Sequence, residues 1–267
     1  MGIPPARRIG GGMEEILLER MSWRAIAQRI ATGWNRVLVM VGSIEQHGPH
    51  LPVGTDTILG YAWGEAIARK LGRMLVAPVI RPGLSFHHKG FAGTITLDEA
   101  LLLTLLEQTC ASLADSGFQY IFLLCSHGGN WPVVHQGLAR LRMAAPTARV
   151  LTLPPEVVEY IEEQIYAFLS SRGISRAVAG IHAGLRETAY MMWLAGNLVD
   201  RDAITCGLVD EAVLAQLRKG LKLSELTPTG VLGDPRGATQ ELGKELNELT
   251  VSLYVEAIRR ELARETY

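Results

Sequence analysis

Two short polar segments carry the residue types that could do chemistry. The first runs Gly42-Ser43-Ile44-Glu45-Gln46-His47-Gly48-Pro49-His50-Leu51-Pro52-Val53-Gly54-Thr55-Asp56, and the second is Ser126-His127-Gly128-Gly129-Asn130. Glu45 and His47 are two apart, so in extended chain they project to the same side. Gly48, Pro49, Pro52 and Gly54 turn the backbone and can return Asp56 toward them. The glycines after His127 permit close approach of backbone to a ligand. Carboxylates mixed with imidazoles, without thiolates, suit zinc, manganese or iron(II). A carboxylate such as Asp56 has two oxygens and can bridge two cations. Two ions roughly 3.5–4 Å apart can share a hydroxide and polarise a carbonyl, which is hydrolysis without a nucleophilic side chain. A lone His at a strand end is more often a hydrogen-bonded turn residue. Glu, His and Asp within a dozen residues of Gly/Pro-rich loop strengthen the ligand reading, because loops after strands carry function.

These segments need elements to position them. Each follows a short, nearly continuous apolar run of the kind buried parallel strands show: residues 36–41 before the first and 119–125 before the second. Residues 74–79 and 149–153 read as further strands. Helical patterns fall at 13–30, 57–71, 131–143, 155–170, 182–194 and 239–265. Thr96 and Glu99 have capping-box spacing ahead of a helix that stops at Gly117. Strand–helix alternation predicts an α/β protein, a three-layer α/β/α sandwich around a mostly parallel sheet. Such sheets place ligands beyond the carboxyl ends of their strands.

The rest of the 267 residues reads as one unit, residues 13–267, behind a disordered lead-in over 1–12 with Pro4, Pro5 and three consecutive glycines. A formal net charge of −1 gives no broad basic surface for nucleic acid or an anionic membrane. No apolar stretch reaches the roughly 20 residues of a spanning helix, and no secretory pattern opens the chain. Three widely spaced cysteines, Cys110, Cys125 and Cys206, make no disulfide framework, and the first two read as buried thiols. The expected location is cytoplasmic and the expected partner a small molecule. His135 reads as structural, and His87 and His88 taken alone as surface residues.

The segment from Ser43 to Asp56 resembles the signature of the creatininase family, as does His127-Gly128-Gly129-Asn130. His88-Lys89-Gly90-Phe91-Ala92-Gly93-Thr94 is similar to the family's H-x-x-F-P-G-T pattern. His182-Ala183-Gly184 with Glu187-Thr188 resembles H-A-G-x-x-E-T-S, and Gly233-Asp234-Pro235 with Ala238-Thr239 a late loop. Five segments in family order span nearly the whole chain. The resemblance implies two divalent ions per chain and hydrolysis of a C–N bond. One ion would take Glu45, His127 and bridging Asp56; the other would take His47, Asp56 and Glu187. His182 would relay protons, with Glu187 also at the reacting centre. His50, His88 and Asn130 would orient substrate or support the ligands. His182 and Glu187 are five apart, about 140° beyond a full helical turn, so both cannot face the site from one regular helix. His182 is therefore expected on the loop at the helix start and Glu187 on the first full turn.

The resemblance also implies a homo-oligomer, a hexamer among the possibilities. The expected activity is that of an amidohydrolase acting on a C–N bond other than a peptide bond, in a small cyclic amide, formamide or similar molecule; a peptidase of a cofactor-precursor peptide is the alternative. The chain departs from the pattern at Ala92 (usually Pro), Leu185 (often acidic), Ala189 (usually Ser) and Ser126 (often Asn). Gly129 stands where strict creatininases carry Glu, which argues against creatinine itself. A catalytically silent metabolite-binding relative is the rival reading, and the intact set of five ligand positions stands against it. A nucleotide-binding reading finds no glycine-rich phosphate loop.

Overall fold

The computed structural model describes residues 14–210 and 222–264. The lead-in expected over residues 1–12 lies outside them. Four parallel strands form one sheet in the order β2-β1-β3-β4. They are β1 (Arg36–Val41), β2 (Met74–Val76), β3 (Tyr120–Cys125) and β4 (Arg149–Thr152). Five of the six residues in each of β1 and β3 are buried, as expected of central strands covered on both faces.

The helices are α1 (Trp23–Ala31), α2 (Thr55–Leu71), α3 (Glu99–Asp115), α4 (Trp131–Ala144), α5 (Pro155–Ser170), α6 (Arg176–Ala179), α7 (Leu185–Ala195), α8 (Leu223–Leu226) and α9 (Gln240–Arg264). One layer packs α3 against α4. The other gathers α2, α5 and α7 around α9. The α/β/α expectation is met, with a sheet that is parallel throughout.

Three local readings need correction. The helix expected over 13–30 is confined to Trp23–Ala31. Ser22 caps it through its side chain, and Leu17 is instead bridged to Val76 at the sheet edge. Met13 lies outside the described residues. Thr96 does not cap α3; Asp98 does, accepting from Leu101 N at 2.8 Å. Thr96 Oγ1 instead receives the Ser85 N–H, which ties two site loops together. The helix expected from residue 182 begins at Leu185, because Ala183 adopts φ +50° and His182 pairs with Leu232 across a bridge.

The strand order has a functional consequence. From β1 the chain moves outward to β2 and then crosses to β3 on the opposite side. The crevice between the carboxyl ends of β1 and β3 is therefore the topological switch point, where open α/β sheets bind ligands. Glu45 follows β1 there, and His127 follows β3.

Helix α7 reaches this crevice because α9 supports it from behind at very short range. A Cβ built on Gly243 would lie 1.8 Å from the Ala189 carbonyl oxygen of α7. Gly243→Ala should therefore push the two helices apart and cost about 1–3 kcal/mol of stability. Gly196→Ala, where an added Cβ meets nothing within 4 Å, should stay within about 0.5 kcal/mol. Urea unfolding midpoints of the two variants check this.

Candidate metal centre

The loop after β1 returns on itself through the turn that brings Glu45 N onto the Val53 carbonyl. It delivers Glu45 and His47 to the crevice and leads into the first turn of α2, where Asp56 sits. The helix N-terminus favours the Asp56 charge. Ser43 Oγ donates to Asp56 Oδ2 at 2.5 Å, and Ser126 Oγ to the Asp56 carbonyl at 2.7 Å. Beyond β3, His127 arrives from the other side. Helix α7 contributes Glu187 from its first turn, and the preceding loop contributes His182. Glu187 Oε2 accepts the Ala183 N–H at 2.6 Å, which fixes the carboxylate against that loop.

The two oxygens of Asp56 face different imidazoles. Oδ1 lies 3.5 Å from His47 Nε2, and Oδ2 lies 3.2 Å from His127 Nδ1. Glu45 Oε1 lies 3.3 Å from His127 Nδ1, and Glu187 Oε2 lies 3.8 Å from His47 Nε2. Potential ligand atoms gather within 4.8 Å of one another in three groups: Glu45–Asp56–His127, His47–His182–Glu187 and Glu45–His88–His182. The first holds the same residues as one expected set; the second has His182 where Asp56 was expected beside His47 and Glu187.

The outer edges of the rings settle their orientation. A carbonyl can only accept, so each ring nitrogen against one must carry hydrogen. His47 Nδ1–H donates to the Glu45 carbonyl at 3.1 Å, and His127 Nε2–H to the Leu84 carbonyl at 2.9 Å. His182 Nε2–H donates to the Gln46 carbonyl at 2.7 Å. In all three the opposite nitrogen turns inward to the carboxylates. Metal-ligating histidines are commonly held in this way by their outer N–H.

The inner faces are correspondingly short of partners. Both Glu45 carboxylate oxygens and His47 Nε2 are buried without a hydrogen bond. Glu45 and His47 are fully buried and Asp56 is 2% exposed. Orphaned buried charge of this kind is costly unless it is paired or coordinates a cation. The donor set therefore fits divalent ions.

The protonation of the metal-free cluster follows from the same packing. Burial raises the Glu45 carboxyl to about 7, against the pull of His127. Burial raises Glu187 too, with His47 pulling it down and Asp56 adding to the rise. Burial also works against Asp56, but His47 and His127 overcome it and hold that carboxyl well below its usual range. His47 is disfavoured as a cation by burial, yet Asp56 and Glu187 lift it to about 10. Burial likewise opposes His127, yet Glu45 and Asp56 lift it to about 9. Burial and then His47 push His182 well down.

A cavity of about 250 Å³ is lined by Glu45, Asp56, His127, His182 and Glu187, and walled further by Trp63, Trp131, Tyr190 and Tyr254. His88 lines it, with burial and then His182 pushing its ring well down, and is 1% exposed rather than on the surface. His87 lines it beside His88. His50 is buried outside the lining and bonds Thr188 Oγ1 at 2.8 Å. Asn130 is also outside the lining. Its amide is spent on main chain, accepting from Leu84 N and donating to the Val41 and Gly42 carbonyls. It thereby holds the segment whose carbonyl orients His127. His135 bonds the Leu153 carbonyl away from the site. Cys110 and Cys125 are buried free thiols.

Ser43, Leu84 and Gln46 are the contributors that residue spacing passes over. Ser43 and Gln46 lie inside the flagged segment, but only the folded chain shows what they touch.

At neutral pH the metal-free protein holds protons on both His47 and His127. A cation must displace them, so its affinity should fall as pH falls, and loading at pH 7.5 should release on the order of two protons per chain. Zinc calorimetry in buffers of differing ionisation enthalpy reads this release. Uptake without release would contradict ligation through these rings.

The Creatininase model, described as creatinine amidohydrolase, matches residues 19–258. A mycofactocin precursor peptide peptidase of Mycobacterium ulcerans (strain Agy99) is 32% identical over 234 residues, 82% of this chain and 83% of the relative. A creatinine amidohydrolase of Pseudomonas putida is 24% identical over 93% of this chain and 98% of its own. The solved structure titled "Creatininase Mn" superposes with a TM-score of 0.76 at 24% identity, covering 93% of this chain and 99% of that one. With the model running from ahead of α1 into α9, the chain belongs to the creatininase family of hydrolases.

Proposed function

We propose that the chain is a two-metal hydrolase that cleaves an amide bond in a short peptide derived from a cofactor precursor. The reading rests on one observation: three imidazoles, each tied by its outer N–H to a main-chain carbonyl, turn their other nitrogens toward the carboxylates of Glu45, Asp56 and Glu187. Glu45, His127 and Asp56 would hold one ion and His47, Asp56 and Glu187 the other, with zinc, manganese or iron as the candidates. Ions so held would supply an acidified water and polarise the scissile carbonyl.

The chain's own residues do the rest. Asp56 stands between the two halves of the site and keeps them in register. Main chain orients His47 and His127, so neither ring needs to move. The C–N bond breaks as a C–O bond forms, and the leaving nitrogen requires a proton. His182, with a bare Nδ1 facing the cluster, can accept the water's proton and return it to that nitrogen. Glu187 lines the same wall and can share this transfer.

Two observations favour a peptide. Relatives named for a peptide substrate share more identity with this chain than the creatinine amidohydrolase does. At Gly129 a Cβ would stand 2.4 Å from His127 Nε2, so the glutamate of strict creatininases has no place in this loop. A second reading, a small cyclic amide or formamide, is favoured by the cavity. Its volume of about 250 Å³ falls below the roughly 300–1,000 Å³ of sites that enclose drug-sized ligands. Assembly as a homo-oligomer belongs to the same proposal, and light scattering should give a multiple of the chain mass.

Mass spectrometry of metal-loaded protein incubated with precursor peptides, lactams, formamides and creatinine tests the substrate. A shortened peptide with creatinine untouched is expected; preferential creatinine turnover would reverse the assignment. On the best substrate, His182→Ala should keep both ions and slow turnover by roughly 10²–10⁴-fold. Glu187→Ala should lose one ion and nearly all activity. Full rate in His182→Ala, or two ions retained in Glu187→Ala, would refute these roles.

A further inference from the structure

His47, His88, His127 and His182 each lie within 4 Å of a carboxylate of the cluster, and three of these four rings are oriented by carbonyls. His88 is the exception, because its outer nitrogen, Nδ1, lies 2.9 Å from the side-chain amide nitrogen of Gln46. The orientation of that amide is fixed by two main-chain groups with one role each. Gly48 N can only donate, and it lies 2.9 Å from Gln46 Oε1. The Gly230 carbonyl can only accept, and it lies 3.1 Å from Gln46 Nε2. The nitrogen of the amide therefore faces His88.

The hydrogens can then be assigned. Gln46 Nε2 has two hydrogens and three neighbours: His88 Nδ1, the Gly230 carbonyl and His182 Nε2, the last at 3.0 Å. His182 Nε2 already carries hydrogen for the Gln46 carbonyl, so it cannot accept. The two amide hydrogens go to Gly230 and to His88 Nδ1. An N–H at His88 Nδ1 would oppose an N–H, so the His88 hydrogen sits on Nε2, 3.2 Å from Glu45 Oε1.

We propose that Gln46 is a positioning residue that sets the tautomers of His88 and His182, and thereby decides which imidazoles can take a cation. Its carbonyl leaves His182 Nδ1 bare, and its amide leaves His88 Nε2 protonated. The group Glu45–His88–His182 is compact enough for an ion, and this hydrogen closes it. The late loop is shaped around the amide: Gly230 has φ +72°, and a Cβ there would lie 2.1 Å from Gln46 Oε1. Only the cation part rests on the metal reading above; the tautomers stand or fall without it.

The test uses the full-length, metal-free protein with ¹⁵N-labelled histidine. Two-bond proton–nitrogen correlations report which ring nitrogen carries hydrogen, and His88→Gln and His182→Gln assign the signals. Wild type should show both rings protonated at Nε2. In Gln46→Glu a carboxylate replaces the donor, so the His88 hydrogen should move to Nδ1 while His182, held by main chain, keeps its own. Gln46→Met removes the amide at similar volume and should leave His88 divided between tautomers, so the question is answered even where Gln46→Glu does not fold.

Zinc titration follows. Wild type should leave His88 Nε2 protonated, and Gln46→Glu should take up one further equivalent that shifts His88 Nε2. A wild-type His88 protonated at Nδ1, a His88 ring unchanged in both variants, or zinc on His88 in wild type would overturn the proposal. Wild type that binds no zinc at all would count against the metal-dependent reading, with the tautomer arm still deciding this one.

Discussion

Three carboxylates meet inside a chain whose overall charge is almost nil, in a place where water hardly reaches. That concentration of buried negative charge is the constraint on which the rest of the structure depends. Desolvated carboxylates repel one another, and Glu45 answers with a carboxyl raised to about 7 by its burial. Asp56 remains a strong acid only because His47 and His127 flank it. The arrangement stands because the surrounding main chain is rigid. Carbonyls of the loops after β1 and β2 hold the rings by their outer edges, so imidazoles and carboxylates are kept apart at distances a cation can bridge.

Rigidity on this scale comes from backbone packed on backbone. Gly83 sits so close to the end of β1 that a Cβ would lie 2.4 Å from the Gly42 carbonyl. Asn130 stitches the same two segments together through its amide. On the far wall, a Cβ on Gly180 would stand 2.1 Å from the Leu232 carbonyl, and this contact presses the His182 loop onto the late loop. The sheet supplies the crevice, but these glycine contacts determine how near its walls stand.

Much of this was legible in the residues. The apolar runs before Glu45 and His127 mark the two central strands because such strands are buried on both faces. The five-residue gap between His182 and Glu187 already excludes a common helical face, and the two side chains do come from the loop and the first turn. The start of the chain misled, because apolar spacing over 13–30 is also produced by an edge segment followed by a short helix capped at Ser22. Thr96 had the right spacing for a cap, yet Ser85, far enough in sequence to be invisible to local rules, claims its hydroxyl. His88 looked exposed because two adjacent histidines in a loop carry no burial signal. Asn130 reads in sequence as either orienting substrate or supporting the ligands, and which of these it does depends on main-chain partners that no side-chain pattern encodes. Gln46 is the clearest case: its neighbours in sequence announce chemistry, while the groups around its amide nitrogen lie 42, 136 and 184 positions away.

Those separations bear on how the pocket comes into being. Contacts between distant parts of a chain form late, because closing a long loop costs entropy before any contact rewards it. Glu45, His47, Asp56 and His127 leave the ribosome well before the late loop that seats Gln46. The Gln46 amide therefore lacks its carbonyl acceptor until a segment 184 positions later is in place, so the orientation of that amide is a property of the complete fold and not of the loop that carries it.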